Sequence, residues 1–126
     1  MNNIIPTEAE LKILQVIWDL GEARVKEIHE IMDKNKNVGY TTVLKTMQIM
    51  FEKGLLDRRI DGKSHIYNAQ IKKGEVEHKL LDRILNSVYK GSAYDLVMSA
   101  LGNYSASENE LEKIKELIKK QQEKLT

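Results

Sequence analysis

The chain has 126 residues, 41% hydrophobic and 31% charged, with a formal net charge of +1. That size suits one domain or two small units, and the composition excludes a disordered tail protein. No cysteine is present, which removes disulfides, thiolate zinc sites and thiol nucleophiles together. No run approaches the roughly 20 apolar residues that a membrane span needs.

The opening, MNNIIPTEAE, has no basic region leading into an apolar core, so no leader is expected and the chain is placed in the cytoplasm. Thr7-Glu8-Ala9-Glu10 fits a capping box. Leu11, Leu14, Ile17, Trp18 and Leu20 follow helical spacing, widened by Ile13 and Val16, and Gly21 ends this first helix. Trp18 reads as core rather than as a stacking platform. A second helix carries Val25, Ile28, Ile31 and Met32, and Lys34-Asn35-Lys36-Asn37 is a turn-prone interruption. A third helix is expected from about Tyr40 to Lys53, with Val43, Met47, Met50 and Phe51 buried and Gly54 ending it.

Leu55 to Ile60 is short and extended in character, Asp61-Gly62 signals a hairpin, and Ser64 to Ala69 alternates. A three-residue strand at Ala23–Val25 is a candidate partner for that hairpin. After Gln70 the pattern turns helical again. One helix from about Lys73 to Tyr89 carries Val76, Leu80, Leu81, Ile84, Leu85 and Val88 on one face. A short helix with Tyr94, Leu96, Val97, Met98 and Leu101 follows. The last helix opens on a second capping box, Ser107 to Glu110, and carries Leu111, Ile114, Leu117, Ile118 and Leu125.

The expected fold is therefore mainly α with a small β hairpin, in two domains, 1–71 and 72–126. The last three helices are too short for a sizeable private core. Their apolar stripes predict a dimer that covers Leu80, Leu81, Ile84, Leu85, Val88, Leu96, Val97, Leu101, Leu111, Ile114, Leu117 and Ile118. The alternative is that these helices fold back on the first domain.

Charge is unevenly spread. Residues 1–33 balance at −4, whereas residues 34–65 carry seven basic and three acidic side chains. A basic segment in a nearly neutral chain fits a face built for an anion, with a merely solvated surface as the plain alternative. Enzyme signatures are missing. The 7 glycines are dispersed rather than gathered in a phosphate loop, and no serine sits in a nucleophile elbow. His29 and His78 stand among carboxylates, but a solvated acidic face explains them better than a metal does. Three scattered histidines make a metal-dependent hydrolase remote; no metal site and no cofactor is expected.

The segment from Val38 to Gln48 resists a bland reading. With Val43, Met47 and Met50 inward, a helical wheel turns Thr41, Lys45, Gln48 and Glu52 outward, flanked by Thr42 and Leu44. Hydroxyls, an amide and one lysine at an exposed helix start suit a helix that reads a major groove. Free N–H groups at that start also suit phosphate. Arg58, Arg59, Lys63 and His65 of the hairpin fit backbone contacts. Arg58 and Arg59 are adjacent and point to opposite faces, so at most one of them faces DNA.

These residues resemble the BlaI/MecI/CopY family of transcriptional repressors, also called penicillinase repressors. The resemblance rests on Thr7 to Leu11, the Ile17-Trp18 pair, Gly39-Tyr40-Thr41-Thr42-Val43 and Glu52-Lys53-Gly54-Leu55-Leu56. Val88-Tyr89-Lys90-Gly91-Ser92 followed by Leu96-Val97 adds to it, so it covers nearly the whole chain in order. It implies a winged helix-turn-helix domain and a C-terminal three-helix dimerisation domain. It also implies a homodimer that represses genes from a palindromic double-stranded DNA operator. Family DNA contacts map to Tyr40, Thr41, Thr42, Leu44 and Lys45 and to the wing around Arg58 to His65; with Gly39 and Gln48 of the same helix start, the expected DNA-binding residues are Gly39, Tyr40, Thr41, Thr42, Leu44, Lys45, Gln48, Arg58, Lys63 and His65.

Thr41 and Leu44 stand where some members carry Lys and Arg, which implies a different operator. Antibiotic-responsive members are cut by a protease at an Asn-Phe bond after a Leu-Val-Leu run. Here the run is Leu96-Val97-Met98 and that bond is absent, Asn103-Tyr104 lying four residues later. The cysteine pairs of copper-responsive members are absent too, so any regulatory protease is unknown. The competing reading is a protein-interaction adaptor on a winged-helix scaffold, binding no DNA.

Overall fold

The computed structural model describes residues 4–126, apart from the side chains of Asn35 and Lys36. The opening Met1-Asn2-Asn3 and the Lys36 charge, both used above, lie outside the described residues. The elements are α1 (Glu8–Leu20), β1 (Glu22–Ala23), α2 (Val25–Lys36), α3 (Tyr40–Lys53), β2 (Leu56–Asp61), β3 (Ser64–Ala69), α4 (Lys73–Ser87), α5 (Ala93–Asn103) and α6 (Glu108–Glu123). The architecture is mainly α, with one antiparallel sheet in the order β1-β3-β2.

The capping box at the start of α1 is present. Thr7 donates its N–H to Glu10 Oε1 at 2.9 Å, and its hydroxyl accepts from the Glu10 N–H at 3.2 Å. Gly21, at φ +88°, closes α1 in a conformation that favours glycine. The small strand lies one residue earlier than expected. Glu22 pairs with Asn68 and Ala23 with Tyr67. Val25 instead opens α2, because extended Arg24 has its N–H held by the Glu27 carboxylate at 2.9 Å. The polar run after Asp33 does not break α2 early. The helix continues to Lys36 and stops at Asn37, whose left-handed φ of +52° asparagine tolerates better than most residues.

The core gathers Ile13, Leu14 and Ile17 of α1, Val25 and Ile28 of α2, and Val43, Met47 and Met50 of α3. Leu55, Leu56 and Tyr67 close it from the hairpin. Burying each large side chain contributes about 1.5–3 kcal/mol. Trp18 packs against this cluster, and its indole N–H donates to the Ile71 carbonyl at 2.9 Å. Ile71 and Val76 are also buried in the cluster, with Leu80 packed against it. The expected stripe of α2 is narrower than predicted, since Ile31 is exposed.

The chain divides into two compact units, residues 1–82 and 83–126. The division falls inside α4, later than the expected 71/72 boundary, because Val76 belongs to the first core. In the second unit no side chain is buried. Val88, Tyr94, Leu117 and Ile118 are each at least half exposed. No helix among the described residues is long and apolar enough to cross a membrane.

Glu10 does more than cap. It is 3% exposed, and its Oε2 accepts from the Lys53 ammonium at 2.7 Å, tying the start of α1 to the end of α3. Burial by itself raises the carboxyl, but the hydrogen bond and charge of Lys53 and the bonds from Thr7 outweigh it. The net shift is below the ordinary 4.5. A carboxyl lowered on folding stabilises the fold above its unfolded value, and that contribution is lost as pH falls through the folded value. Glu10→Gln is therefore expected to lower stability at pH 7 by about 1–2 kcal/mol. Urea unfolding should show the gap between variant and wild type closing as the pH falls below the ordinary carboxylate range.

Candidate nucleic-acid interface

The buried stripe sets the rotation of α3 about its axis. Val43, Met47 and Met50 are at most 1% exposed. Opposite them Thr41, Lys45, Gln48 and Glu52 are exposed, as the helical wheel requires. The flanks differ. Thr42, with Thr46, lines a 350 Å³ cleft against α1 and Val38. Tyr40 and Leu44 lie on the other flank, and Leu44 is half-buried against the core rather than standing free.

The start of α3 is open. Its N-cap is Gly39, which has no side chain to satisfy the first N–H groups, and no acidic residue occupies the first turn. By contrast α1, α2, α4, α5 and α6 each carry an acidic residue there. The unpaired N–H groups and the positive end of the helix dipole thus remain available to an anion.

The wing comes from β2 and β3, paired from Leu56↔Ala69 to Asp61↔Ser64. Gly62, first of the two loop residues, takes φ +65°, as the first position of a type II′ turn demands. Leu56, Arg58 and Ile60 share one face with His65, Tyr67 and Ala69 by register and alternation. A cleft of about 400 Å³ opens between this face and α3, lined by Tyr40, Leu44, Gln48, Lys63, His65 and Tyr67. Arg24 and Lys26, from the start of α2, complete its wall.

The structure therefore brings most of the predicted residues together. Tyr40, Leu44, Gln48, Lys63 and His65 share the cleft, and Thr41 and Lys45 continue its α3 rim outward. Thr42 lies on the far flank. Arg58 is set back: its guanidinium lies 3.9 Å over the Phe51 ring and donates to the Tyr67 hydroxyl at 3.4 Å. Phe51, expected in the stripe, is half-buried and serves as that platform. Arg59 is on the opposite face and donates to both carboxylate oxygens of Glu22 at 3.2 Å. Among the described residues Lys45 and Lys63 have no ion-pair partner, and neither does Lys26 of the cleft wall, so all three are free cations of this surface.

Three contributors escape the sequence reading. Arg24 and Lys26 sit beyond the basic segment in the chain and join the cleft only through the fold. No group of three potential metal ligands exists among the described residues, and His29 has other partners. Its Nε2 is 2.8 Å from the Val38 carbonyl, and its ring meets Tyr40 edge-on with centroids 5.6 Å apart. A carbonyl only accepts, so Nε2 carries the hydrogen. His29 thereby ties α2 to the turn that presents α3.

Comparison with known proteins follows the same lines. The sequence model of the penicillinase repressor family matches residues 6–120. The chain belongs to that family. It is 25% identical over 114 residues to the methicillin resistance regulatory protein MecI of Staphylococcus aureus strain N315, covering 90% of this chain and 93% of MecI. Over 112 residues it is 21% identical to the penicillinase repressor of Bacillus licheniformis, covering 89% and 88% of the two chains. The solution structure of the DNA-binding domain of the repressor BlaI shares the fold at a TM-score of 0.52 and 23% identity, over 60% of this chain and 93% of that one. The transcriptional regulator Tm0710 of Thermotoga maritima shares it at 0.52 and 24% identity, over 92% and 73%. This penicillinase-repressor chain is thus a winged-helix protein of a repressor family, not of an enzyme family.

Replacing His29 in this family member should show what the histidine holds. His29→Ala leaves the Val38 carbonyl without its donor and is expected to cost about 1–2 kcal/mol in urea unfolding. Nitrogen chemical shifts of the wild-type imidazole should report the Nε2–H form.

Proposed function

We propose that the chain is a cytoplasmic, homodimeric winged-helix transcriptional repressor that binds a palindromic DNA operator. In this reading α3 enters the major groove, and the wing lies along the sugar-phosphate backbone. The observation that carries it is the uncovered row Thr41, Lys45 and Gln48 on a helix whose start carries no acidic or capping side chain. Thr41 and Gln48 offer hydroxyl and amide groups to base edges, and Lys45 offers its ammonium to a guanine edge or a phosphate. Lys63, at the wing tip, contacts phosphate and positions the protein without reading sequence. The relatives, a penicillinase repressor and a methicillin resistance regulatory protein, support this assignment.

The second unit supplies the dimer. Its helices have apolar stripes and no buried side chain, an arrangement a second copy completes through a two-fold interface. Two α3 helices then meet successive major grooves about 34 Å apart, or a multiple of that. Release from the operator proceeds by a route other than cutting an Asn-Phe bond or binding metal through cysteines. Asn103 and Tyr104 close α5, with the Asn103 amide donating to the Ser99 carbonyl at 2.8 Å.

Gel shifts over salt and over operator variants test the DNA reading. Lys45→Ala and Lys63→Ala should each weaken binding and reduce the slope of log affinity against log salt by about 1 per half-site. Lys45→Ala should also change base preference, whereas Lys63→Ala should weaken all sequences about equally. Identical preference profiles for the two variants would count against the assignment of α3, and salt-independent retention on duplex DNA would favour an adaptor. Sedimentation of the DNA-free protein at micromolar concentration should give a dimer; a stable folded monomer would remove the dimer from the proposal.

A further inference from the structure

We infer that Arg24 and Asp61 are positioning residues, through which the segment Glu22–Arg24 clasps strand β2 across β3 and holds the wing tip beside α3. The inference rests on the DNA-binding reading above for its functional consequence, but not for its geometry. Strand β1 is hydrogen-bonded only to β3, and β2 is the far edge of the sheet. Nevertheless both charged side chains that leave this segment reach β2. The Arg24 guanidinium is ion-paired with Asp61, and its Nε donates to the Ser64 hydroxyl at 3.2 Å. Glu22 accepts from Arg59 at 3.2 Å. Asp61 and Ser64 are the last pair of the hairpin, so the first contact grips the tip itself.

Packing does not hold that tip. The main cluster reaches Leu56 and Tyr67, Ile66 is buried on the opposite face of β3, and Arg58 rests on Phe51. Beyond it Ile60 is 76% exposed, and Asp61 to Ser64 are all exposed. Above Arg58 the hairpin ladder gives the wing its shape, and the ion pairs give it a place relative to α2. Lys63, the free cation of the wing tip, sits between the two residues that Arg24 holds.

The charge of Asp61 sharpens the case. A carboxylate on a wing that approaches phosphates is repelled by them. On charge alone, removing it tightens DNA binding. As half of a clasp, removing it lets the tip drift and loosens binding. The two accounts differ in sign.

The test uses the full chain with Asp61→Ala, Arg24→Ala, the double variant and the charge swap Arg24→Asp with Asp61→Arg. Gly62 supplies the turn's positive φ, so alanine at 61 leaves the turn intact, and Arg24 contributes only its backbone to the start of α2. Affinity is measured at fixed salt for the tightest duplex recovered from a random-sequence pool, and hydrogen exchange of the Lys63–His65 amides is measured without DNA. Asp61→Ala should bind about two- to fivefold more weakly despite its added positive charge, with faster wing exchange by a similar factor. The double variant should be no weaker than Arg24→Ala alone, and the swap should restore slow exchange. Equal or tighter binding by Asp61→Ala overturns the inference, and so does unchanged wing exchange. If wild-type protein shows no salt-dependent binding to duplex DNA, the repressor reading fails, and the exchange arm still decides whether the clasp exists.

Discussion

The seat of α3 is the constraint on which the functional surface depends. Val43, Met47 and Met50 are driven under α1 and α2 by the hydrophobic effect, and a helix with one face so anchored has no freedom to roll. A roll by one residue would turn every outward side chain by about 100°. Burial on one side therefore specifies which polar groups stand on the other, without any contact among those polar groups. The Glu10–Lys53 ion pair then pins the far end of the same helix to the start of α1, so its axial position is set at a point remote from the exposed start.

The sheet completes the arrangement at low cost in residues. Three short strands suffice because the central one, β3, shares its Tyr67 with the main core. What the hairpin lacks in buried surface it makes up in charge pairs and in the stacking of Arg58 on Phe51. This division of labour leaves a surface with few unpaired cations despite a basic stretch of chain. Arg59 is neutralised by Glu22, and Arg58 is drawn back toward α3. A positive run in the sequence is thus a poor guide to positive charge at the surface.

Much of the fold was legible because it follows local rules. The Thr7 capping box, the Ser107 cap, Gly21, Gly54, the hairpin and the buried stripe of α3 all act over a few neighbouring residues, and the outward side chains follow from that stripe by geometry. What escaped depends on long-range meetings. Glu10 looks like a capping residue and nothing more, because Lys53 is 43 positions away. Leu44 looks like a flank of the outward face until the fold packs it against the core. Two residues are too few to show the alternation of a strand, so β1 was displaced by one. His29 sits among acidic neighbours in sequence, while its partners, Val38 and Tyr40, come from the turn beyond. Nothing in the periodicity of α4 says that Val76 joins the first core while Ile84, on the same stripe, stays exposed.

The shared helix α4 has a further implication for how this molecule is taken apart. Its early turns finish the interior of the winged-helix unit through Val76 and Leu80, while its later turns begin the second unit. A fragment trimmed just after the hairpin would be born with a hole in its floor, whatever the quality of its reading surface. An autonomous minimal module therefore has to carry the opening half of a helix that, by pattern alone, looks like the property of its neighbour.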